Sequence, residues 1–357
     1  MRYFAKMRPV YTDPLVTWTE KGLYCPSGNF YIDPHRAVDI AVTTHAHSDH
    51  ARRGSRRYIC EKSGVGLLRA RVGEKINVHG LAYQERLRMG DVEMSLHSAG
   101  HILGSAQVRI QRGEEVWVAS GDYKRDPDPS CEPFEVVKCD TFITEATFGT
   151  PQYVWPKEAR HGEEIFRWWQ ELQARGANGV LFGYSLGKAQ RILAELAPYA
   201  EKPVLIHPTI HALAECYRAE GRKLAPTADL PSSVSTSLAR GEPFRGELIL
   251  APPAVLQGPD ARAFGVYETA FASGWMREGG RGHGRRYDRG FIMSDHADWN
   301  DLNQTITETG AWRIFVQHRN GALVRHLRAK GLAAHSISEL TPTGFARISA
   351  PNLELFQ

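Results

Sequence analysis

The segment HAHSDH, residues 45–50, places three histidines and an aspartate within six positions. Imidazole and carboxylate side chains together suit zinc, and also manganese or iron. The preceding residues DIAVTT, 39–44, are strand-like, so His45 and His47 are expected to point the same way from the strand. A polar loop that is rich in histidine by chance is the alternative, but it does not account for the regular HxHxDH spacing. The pattern therefore predicts a metal site at the end of this strand.

Further ligands must come from elsewhere in the chain, because four side chains in one loop cannot close two metal sites. HSAGHILGS offers His97 and His101, and SGDY offers Asp122. SDHADW and VQHRNG contribute His296 and His318. Taken singly, each of these side chains is better explained by a structural role, such as a hydrogen bond to backbone. Together they recur at successive strand ends, which is how an α/β architecture gathers a site from distant segments.

The elements that would position these residues differ along the chain. The first 150 residues are expected to be strand-rich, and AQVRIQRGEEVWVASGDY predicts a hairpin that turns at RGEE. In the middle, strands and helices alternate, which predicts a parallel sheet. The predicted middle elements are a helix HGEEIFRWWQELQARG that ends at Gly176, a strand VLFGY, a helix SLGKAQRILAEL opened by Ser185, and a helix TIHALAECYRAEG. Residues 221–290 are expected to be loop-like apart from the strand GELILAP, and RIFVQH and GALVRHLRAKG return to strand and helix.

Composition places the chain among ordinary globular enzymes. It has 357 residues, a formal net charge of +4 and a pI near 8.7, which permit an anionic partner without requiring one. The five cysteines form no CxxC pair, so neither a disulfide framework nor a cysteine-built zinc site is expected. No signal peptide and no run of about 18 apolar residues is visible. We therefore expect a cytoplasmic protein without a membrane partner.

The order of the motifs resembles the metallo-β-lactamase superfamily, and more narrowly its β-CASP nuclease branch. YIDP, with Asp33, is similar to the first motif, and HAHSDH, AGHILGSA and SGDY are similar to the next three. TEATFG, with Glu145, and SDHADW are similar to motifs A and B of the branch, and His318 falls where motif C is expected. ITEATFG, GYSLGKAQRIL and FIMSDHADW look most like bacterial ligase-associated DNA exonucleases.

This resemblance implies a fold and a domain division. The expected fold is α/β, a metallo-β-lactamase αββα sandwich with an inserted β-CASP α/β cap domain. Residues 1–149 and the return segment 294–357 would form the sandwich, and residues 150–293 would form the cap.

The resemblance also implies the ligands of two metal ions, expected to be zinc with manganese as the alternative. These ligands are His45, His47 and His101 for the first ion, Asp49, His50 and His318 for the second, and Asp122 as the bridge between them. Motif C is usually His-Gly, whereas Arg319 follows here, and crosslink-repair relatives often lack this histidine, so a one-metal version stays open. Asp33 is expected to support the site from behind.

By the resemblance, the two metal ions would catalyse phosphodiester hydrolysis: they would lower the pKa of a shared water and neutralise charge on a phosphate oxygen. His296 is the predicted proton donor to the leaving oxygen, since histidine titrates near working pH. Glu145 would orient His296 and raise its pKa. The predicted catalytic residues are therefore Asp49, Asp122, Glu145 and His296.

The insert favours a nucleic-acid substrate over a β-lactam or a thioester. In YSLGK, Ser185 and Gly187 stand at the start of a predicted helix and Lys188 adds a charge, an arrangement that suits a phosphate. An ordinary helix start with a solvated lysine is the alternative. The basic stretch before motif B, MREGGRGHGRRYDRG, could track a nucleic-acid backbone, although charge runs are often solvated surface. Its predicted contacts are Arg281, Arg285 and Arg286.

Three functions compete on this sequence. The favoured one is a 5′–3′ DNA exonuclease in repair, and the alternative within the enzyme class is an RNA nuclease of the mRNA 3′-end-processing type. A non-catalytic scaffold on the same fold is the third, but every metal-ligand position holds a competent residue. DNA is preferred over RNA solely through the resemblance, which also suggests a DNA ligase or helicase as a protein partner.

Overall fold

The fold is a mixed α/β arrangement with three large sheets. It is taken from a computed structural model, which describes residues 13–230, 244–257, 264–278, 281–282, 285–317 and 321–349. The expectation of an α/β protein is confirmed. Among the described residues, no helix has the length and apolar character needed to cross a membrane.

The first sheet has six strands in sequence order. These are β1 Thr17–Thr19, β2 Gly22–Cys25, β3 Phe30–Ile32, β4 Ile40–Val42, β5 Arg57–Glu61 and β6 Val78–Leu81. The pairs β1–β2 and β2–β3 are antiparallel, and the pairs from β3 to β6 are parallel. Helix α1, Val65–Val72, connects the last two strands.

The second sheet has seven strands in the order β21-β20-β11-β10-β9-β8-β7. Their bounds are β7 Arg86–Met89, β8 Val92–Ser98, β9 Ala106–Arg112, β10 Glu115–Ala119, β11 Thr141–Thr144, β20 Arg313–Val316 and β21 Ala333–Ser336. The antiparallel pairing of β9 with β10 confirms the predicted hairpin. Helices α5 Trp299–Thr309, α6 Ala322–Ala329 and α7 Pro342–Ser349 accompany this sheet.

The two sheets face each other across one hydrophobic core. Alternate residues of each strand supply it, for example Val42 and Ile59 from the first sheet and Trp117 and Phe315 from the second. Their neighbours along the strands face outward, toward α1 on one side and toward α5 and α6 on the other. Each such buried side chain contributes about 1.5–3 kcal/mol, so period-two alternation on both sheets holds the layers together.

The third sheet has six parallel strands in the order β14-β13-β15-β12-β16-β19. Their bounds are β12 Asn178–Phe182, β13 Val204–Ile206, β14 Thr227–Asp229, β15 Leu248–Ala251, β16 Tyr267–Ala272 and β19 Arg289–Phe291. Helices α2 His161–Ala174, α3 Lys188–Leu196 and α4 Pro208–Ala219 pack on it. The predicted parallel sheet in the middle of the chain is confirmed. A separate two-stranded ribbon joins β17 Arg281–Gly282 to β18 Arg285–Arg286.

Two expectations for this region were wrong. The described parts of 221–290 are not loop-like, because β14, β16 and β19 add strands to the sheet beside the predicted β15. Their short length and exposed outer residues hide the apolar pattern in the sequence. Helix α3 is not opened by Ser185 but begins at Lys188, after Gly187, whose φ of 84° is a conformation that side chains disfavour.

Candidate metal centre

The HAHSDH segment lies beyond the end of β4, in the loop that follows Val42. The expectation that His45 and His47 leave one strand in the same direction was therefore wrong, and their ring planes stand 87° apart. Asp33 fixes the loop instead. Its carboxylate accepts hydrogen bonds from the Thr44 N–H at 2.8 Å and from the Thr44 hydroxyl at 2.6 Å.

Four buried or half-buried donor atoms converge beside this loop. They are His45 Nε2, His47 Nδ1, His101 Nε2 and a carboxylate oxygen of Asp122, all within 4.8 Å of one another. His47 Nδ1 lies 3.0 Å from His45 Nε2 and 3.1 Å from His101 Nε2. Ligand atoms of a tetrahedral zinc, with bonds of about 2.0–2.1 Å, stand roughly 3.3 Å apart. The donor set and its spacing thus fit one divalent ion.

The other nitrogen of each of these rings is occupied by a hydrogen bond. His45 Nδ1 lies 3.1 Å from the Thr44 hydroxyl oxygen, whose own proton goes to Asp33. His47 Nε2 donates to the Leu186 carbonyl at 3.1 Å, and His101 Nδ1 donates to the Asp295 carbonyl at 2.6 Å. Such outer contacts fix the tautomer and direct the remaining lone pair into the site.

Charge in this group is arranged for a cation. Burial, reinforced by neighbouring histidines, holds the pKa values of His45 and His101 well below their usual range, so both rings are neutral and offer a lone pair. Burial alone would raise the pKa of Asp122. The positive charges of His50 and His296 outweigh burial and hold the pKa of this carboxyl well below its usual range. The side chains therefore have the protonation states that a metal needs.

The other two candidate ligands of the metal loop, His50 and Asp49, lie on the side of Asp122 that is more exposed to solvent. His50 Nδ1 donates to Asp33 at 2.7 Å, and His50 Nε2 lies 3.5 Å from Asp122 and 3.7 Å from Asp49. Burial lowers the pKa of His50, but the charges of Asp122 and Asp33 outweigh burial and hold this pKa well above its usual range. The Asp49 side chain is 73% exposed. His318, the other ligand predicted for this side, lies outside the described residues.

Glu145 and His296 form a second group that also reaches Asp122. The fully buried Glu145 accepts hydrogen bonds from the Tyr123 N–H and the Thr147 hydroxyl, both at 2.6 Å, and from His296 Nδ1 at 2.9 Å. Burial lowers the pKa of His296, but the charges of Glu145 and Asp122 overcome this effect and raise it to about 9. His296 thus has the protonation state of an acid, and it bonds to Glu145 through Nδ1.

Both groups open into one cavity of about 520 Å³ between the paired sheets and the third sheet. Arg71 of α1 lies on one wall, and Tyr184, Trp275 and Phe148 supply aromatic surface on the other walls. Tyr184 is 44% exposed, an unusual degree for a large aromatic side chain. Phe148 contacts both Trp275 and His296, with ring centroids 4.8 and 6.0 Å away. The aromatic wall therefore begins directly beside the candidate acid.

The predicted phosphate-binding residues have other partners. Lys188 is 2% exposed, and its Nζ donates to the Asp295 carboxylate at 2.7 Å and to the Met293 carbonyl at 2.5 Å. Its ammonium is therefore buried and already paired, and the role of Lys188 as a point charge for phosphate stays a prediction. The Ser185 hydroxyl bonds to that of Thr209 at 3.0 Å. Arg281, Arg285 and Arg286 belong to the β17–β18 ribbon by their backbone, and their side chains lie outside the description.

Several residues of the site were not predicted. Asp295, Leu186 and Arg71 act through contacts between distant segments, which a single sequence does not reveal. Asp295 had one available signal, because it directly precedes His296 in SDHADW. His97, which the resemblance did not count among the ligands, pairs with Glu135 at 3.0 Å and does not join the four donor atoms.

Comparisons with known proteins extend these observations. No protein-family model matches the sequence. The chain is 32% identical over 321 residues to a protein of Opitutus terrae named probable DNA ligase, which covers 89% of this chain and 30% of that protein. It is 28% identical over 142 residues to Endoribonuclease YSH1 of Yarrowia lipolytica, covering 39% of this chain and 16% of the relative. The chain thus spans less than a third of the length of these two curated relatives.

A solved structure shares the fold. It is the crystal structure of a protein of unknown function from Enterococcus faecalis V583, with a TM-score of 0.55 and 12% sequence identity, over 85% of this chain and 81% of that one. At this identity the likeness concerns the fold alone. Taken with the ordered motifs and the cluster of histidines and aspartate, the curated relatives support placing the chain in the metallo-β-lactamase superfamily and its β-CASP branch.

Proposed function

We propose that the protein is a metal-dependent nuclease that hydrolyses phosphodiester bonds, with DNA as substrate and 5′–3′ exonuclease action in repair. One observation carries the proposal: His47, His101 and Asp122 of the donor group line the same cavity as His296, which Glu145 holds by a hydrogen bond. In this proposal the paired sheets and their outer helices form an αββα sandwich from residues 1–149 and 294–357. Residues 150–293 then form the cap domain over it.

His45, His47, His101 and Asp122 would hold the first ion, and Asp49, His50 and His318 would complete a second site beside Asp122. The ions, proposed as zinc with manganese as the alternative, would supply a water of lowered pKa and neutralise charge on a phosphate oxygen.

The chain itself would supply the proton. When the bond between phosphorus and the leaving oxygen breaks, that oxygen needs a proton, and His296, which lines the cavity, would give it. Glu145 holds ring nitrogen Nδ1 and keeps the imidazole charged until transfer. Glu145 already accepts three hydrogen bonds, so it serves as an anchor for His296 and not as a metal ligand.

The cavity walls support a polynucleotide substrate. The Arg71 guanidinium beside the metal loop suits a backbone phosphate, and the rings of Trp275 and Tyr184 suit stacking against bases. DNA is favoured over RNA because the relative that matches along 89% of this chain is named a DNA ligase, whereas the endoribonuclease matches along 39%. That relative also supports a DNA ligase as partner, and a helicase is the other partner proposed.

The experiment uses linear single-stranded DNA and matched RNA, each labelled at the 5′ or the 3′ end, with zinc or manganese. We expect 5′-terminal mononucleotides from DNA, lost in Asp122→Ala and after chelation. Asp39→Ala is the matched control, because Asp39 is an exposed aspartate paired with Arg56 outside the cavity.

The other outcomes separate the alternatives. Preferential cutting of RNA would move the protein to the 3′-end-processing type of nuclease. Stoichiometric metal binding without cutting of either polymer would favour a non-catalytic scaffold.

A further inference from the structure

The outer nitrogens of two metal-site histidines contact one edge of the third sheet. The Leu186 carbonyl, which accepts from His47, lies in loop 184–187 after β12. The Asp295 carbonyl, which accepts from His101, lies in segment 292–295 after β19. Since β12 and β19 belong to one parallel sheet, both segments leave it at the same edge. This edge therefore contacts the metal centre through two backbone carbonyls.

A buried charge cluster holds segment 292–295 in place. The Lys188 ammonium bonds to the carboxylate of Asp295, and Arg191 Nη1 donates to the Ser294 carbonyl at 2.5 Å. Lys188, Arg191 and Asp295 are 2%, 4% and 7% exposed. Removing one partner of such a cluster leaves a buried charge unpaired, which is costly. The first turns of α3 therefore fix the carbonyl that orients His101.

Gly187 allows loop 184–187 to approach the metal loop. A Cβ at this position would lie 2.5 Å from Ile102 Cγ2 and 3.4 Å from His47 Nε2, and the backbone φ is 84°. Any side chain here would push the loop, and the Leu186 carbonyl with it, away from His47. The short approach requires glycine.

We infer that loop 184–187 and helix α3 are positioning elements of the metal centre: the Leu186 carbonyl sets the His47 ring, and Lys188 with Arg191 sets the His101 ring through Asp295. SLGK then serves the metal site and does not grip a phosphate. The inference rests on the proposed metal site but is independent of which polymer the protein cuts.

The test measures metal binding by the full chain without nucleic acid. Cobalt(II) gives visible absorption bands that report ligand geometry, and zinc affinity follows from competition with a chromophoric chelator. We expect Gly187→Ala to weaken zinc binding about 10–100-fold, the usual cost of losing an outer contact, and to change the cobalt spectrum.

Gly221→Ala is the matched control. Gly221 also has a positive φ, 78°, but a Cβ there meets nothing within 4 Å. It therefore carries the backbone penalty without touching the metal loop. If the zinc affinity and cobalt spectrum of Gly187→Ala match those of Gly221→Ala, the positioning role is wrong.

A second measurement applies even if Gly187→Ala does not fold. In nitrogen-15 NMR of the metal-free wild type, His47 should carry its proton on Nε2, whereas His101 should carry it on Nδ1. The reverse tautomer at His47 would overturn the inference. If the wild-type protein binds no metal, the proposed metal site is wrong. If it binds metal but cuts no polymer, only the proposed nuclease function is wrong.

Discussion

His101 and His296 lie side by side, with ring centroids 4.7 Å apart, but their surroundings push them in opposite directions. His101 bonds to a backbone carbonyl, and its pKa falls well below the usual range because of burial and the nearby His296. His296 bonds to the Glu145 carboxylate, and its pKa rises to about 9. At these two positions, burial and neighbouring histidines lower the pKa of His101, whereas the charges of Glu145 and Asp122 raise that of His296.

Two groups of donor atoms share Asp122, and their distances alone would let either of them hold a metal ion. Both groups hold three or more donor atoms within 4.8 Å of one another. The group with His45, His47 and His101 is rich in neutral nitrogen donors. The group with Glu145 and His296 already contains an ion pair, so a metal there would have to displace a proton from His296. We therefore assign the metal to the first group and the proton to the second.

The largest effect should appear when removal of the His101 side chain is compared with removal of the His296 side chain. His101→Ala should reduce zinc affinity by more than the ~10–100-fold expected for an outer contact, because it removes a ligand atom. His296→Ala should leave zinc affinity unchanged and lower turnover by ~10²–10⁴, with the greatest loss on substrates that have a poor leaving group. Chelator competition and single-turnover cleavage measure both. If His296→Ala loses zinc as His101→Ala does, the division between the groups is wrong.

A smaller effect concerns the titration of His296. In Glu145→Gln the carboxylate charge is lost, so the pKa of His296 in metal-free protein should fall from about 9 toward its ordinary value near 6.5. NMR of the imidazole protons from about pH 5 to about pH 10 measures the titration midpoint of His296. Glu135→Gln is the matched control, because Glu135 pairs with His97 outside the cavity. An unchanged midpoint in Glu145→Gln would mean that Glu145 does not set the charge of His296.

The same shift has a consequence for stability. The pKa of His296 is higher in the folded metal-free protein than in the unfolded chain, so protonation favours folding. This contribution is complete below about pH 6.5 and disappears as the pH rises through about 9. The wild type should therefore lose more stability across this window than Glu145→Gln.

The sequence predicts those parts of the molecule whose causes are local. HxHxDH, the hairpin before Asp122 and the alternation of strand and helix in the middle of the chain are all legible from residue types and spacing. The direction of His45 and His47 was missed because β4 ends two residues earlier than the strand-like pattern suggests. The backbone at Gly121 also packs closely against the metal loop, since a Cβ at Gly121 would lie 2.7 Å from the Thr44 side chain. Such contacts depend on the packed fold and leave no periodic signal.

Lys188 illustrates the other limit. Spacing alone predicts a solvated lysine or a phosphate contact at a helix start, and both require an exposed ammonium. Its actual partner, Asp295, is 107 residues away along the chain. Burial of a charge is a property of the assembled layers, so no local pattern reports it. The surroundings of Lys188 therefore depend on a contact that only the fold creates.

The smallest effect should come from Asp49, which lies with His50 on the more exposed side of Asp122. Asp49 is largely exposed and lies 3.7 Å from His50, whereas the donors on the buried side lie closer together. We expect cobalt titration to show a tight step and a weaker step, and Asp49→Ala to remove only the weaker one, with turnover reduced on the order of tenfold. Asp39→Ala should leave both steps in place. Loss of the tight step in Asp49→Ala would mean that the two sides bind metal as one unit, and burial would then not be what ranks them.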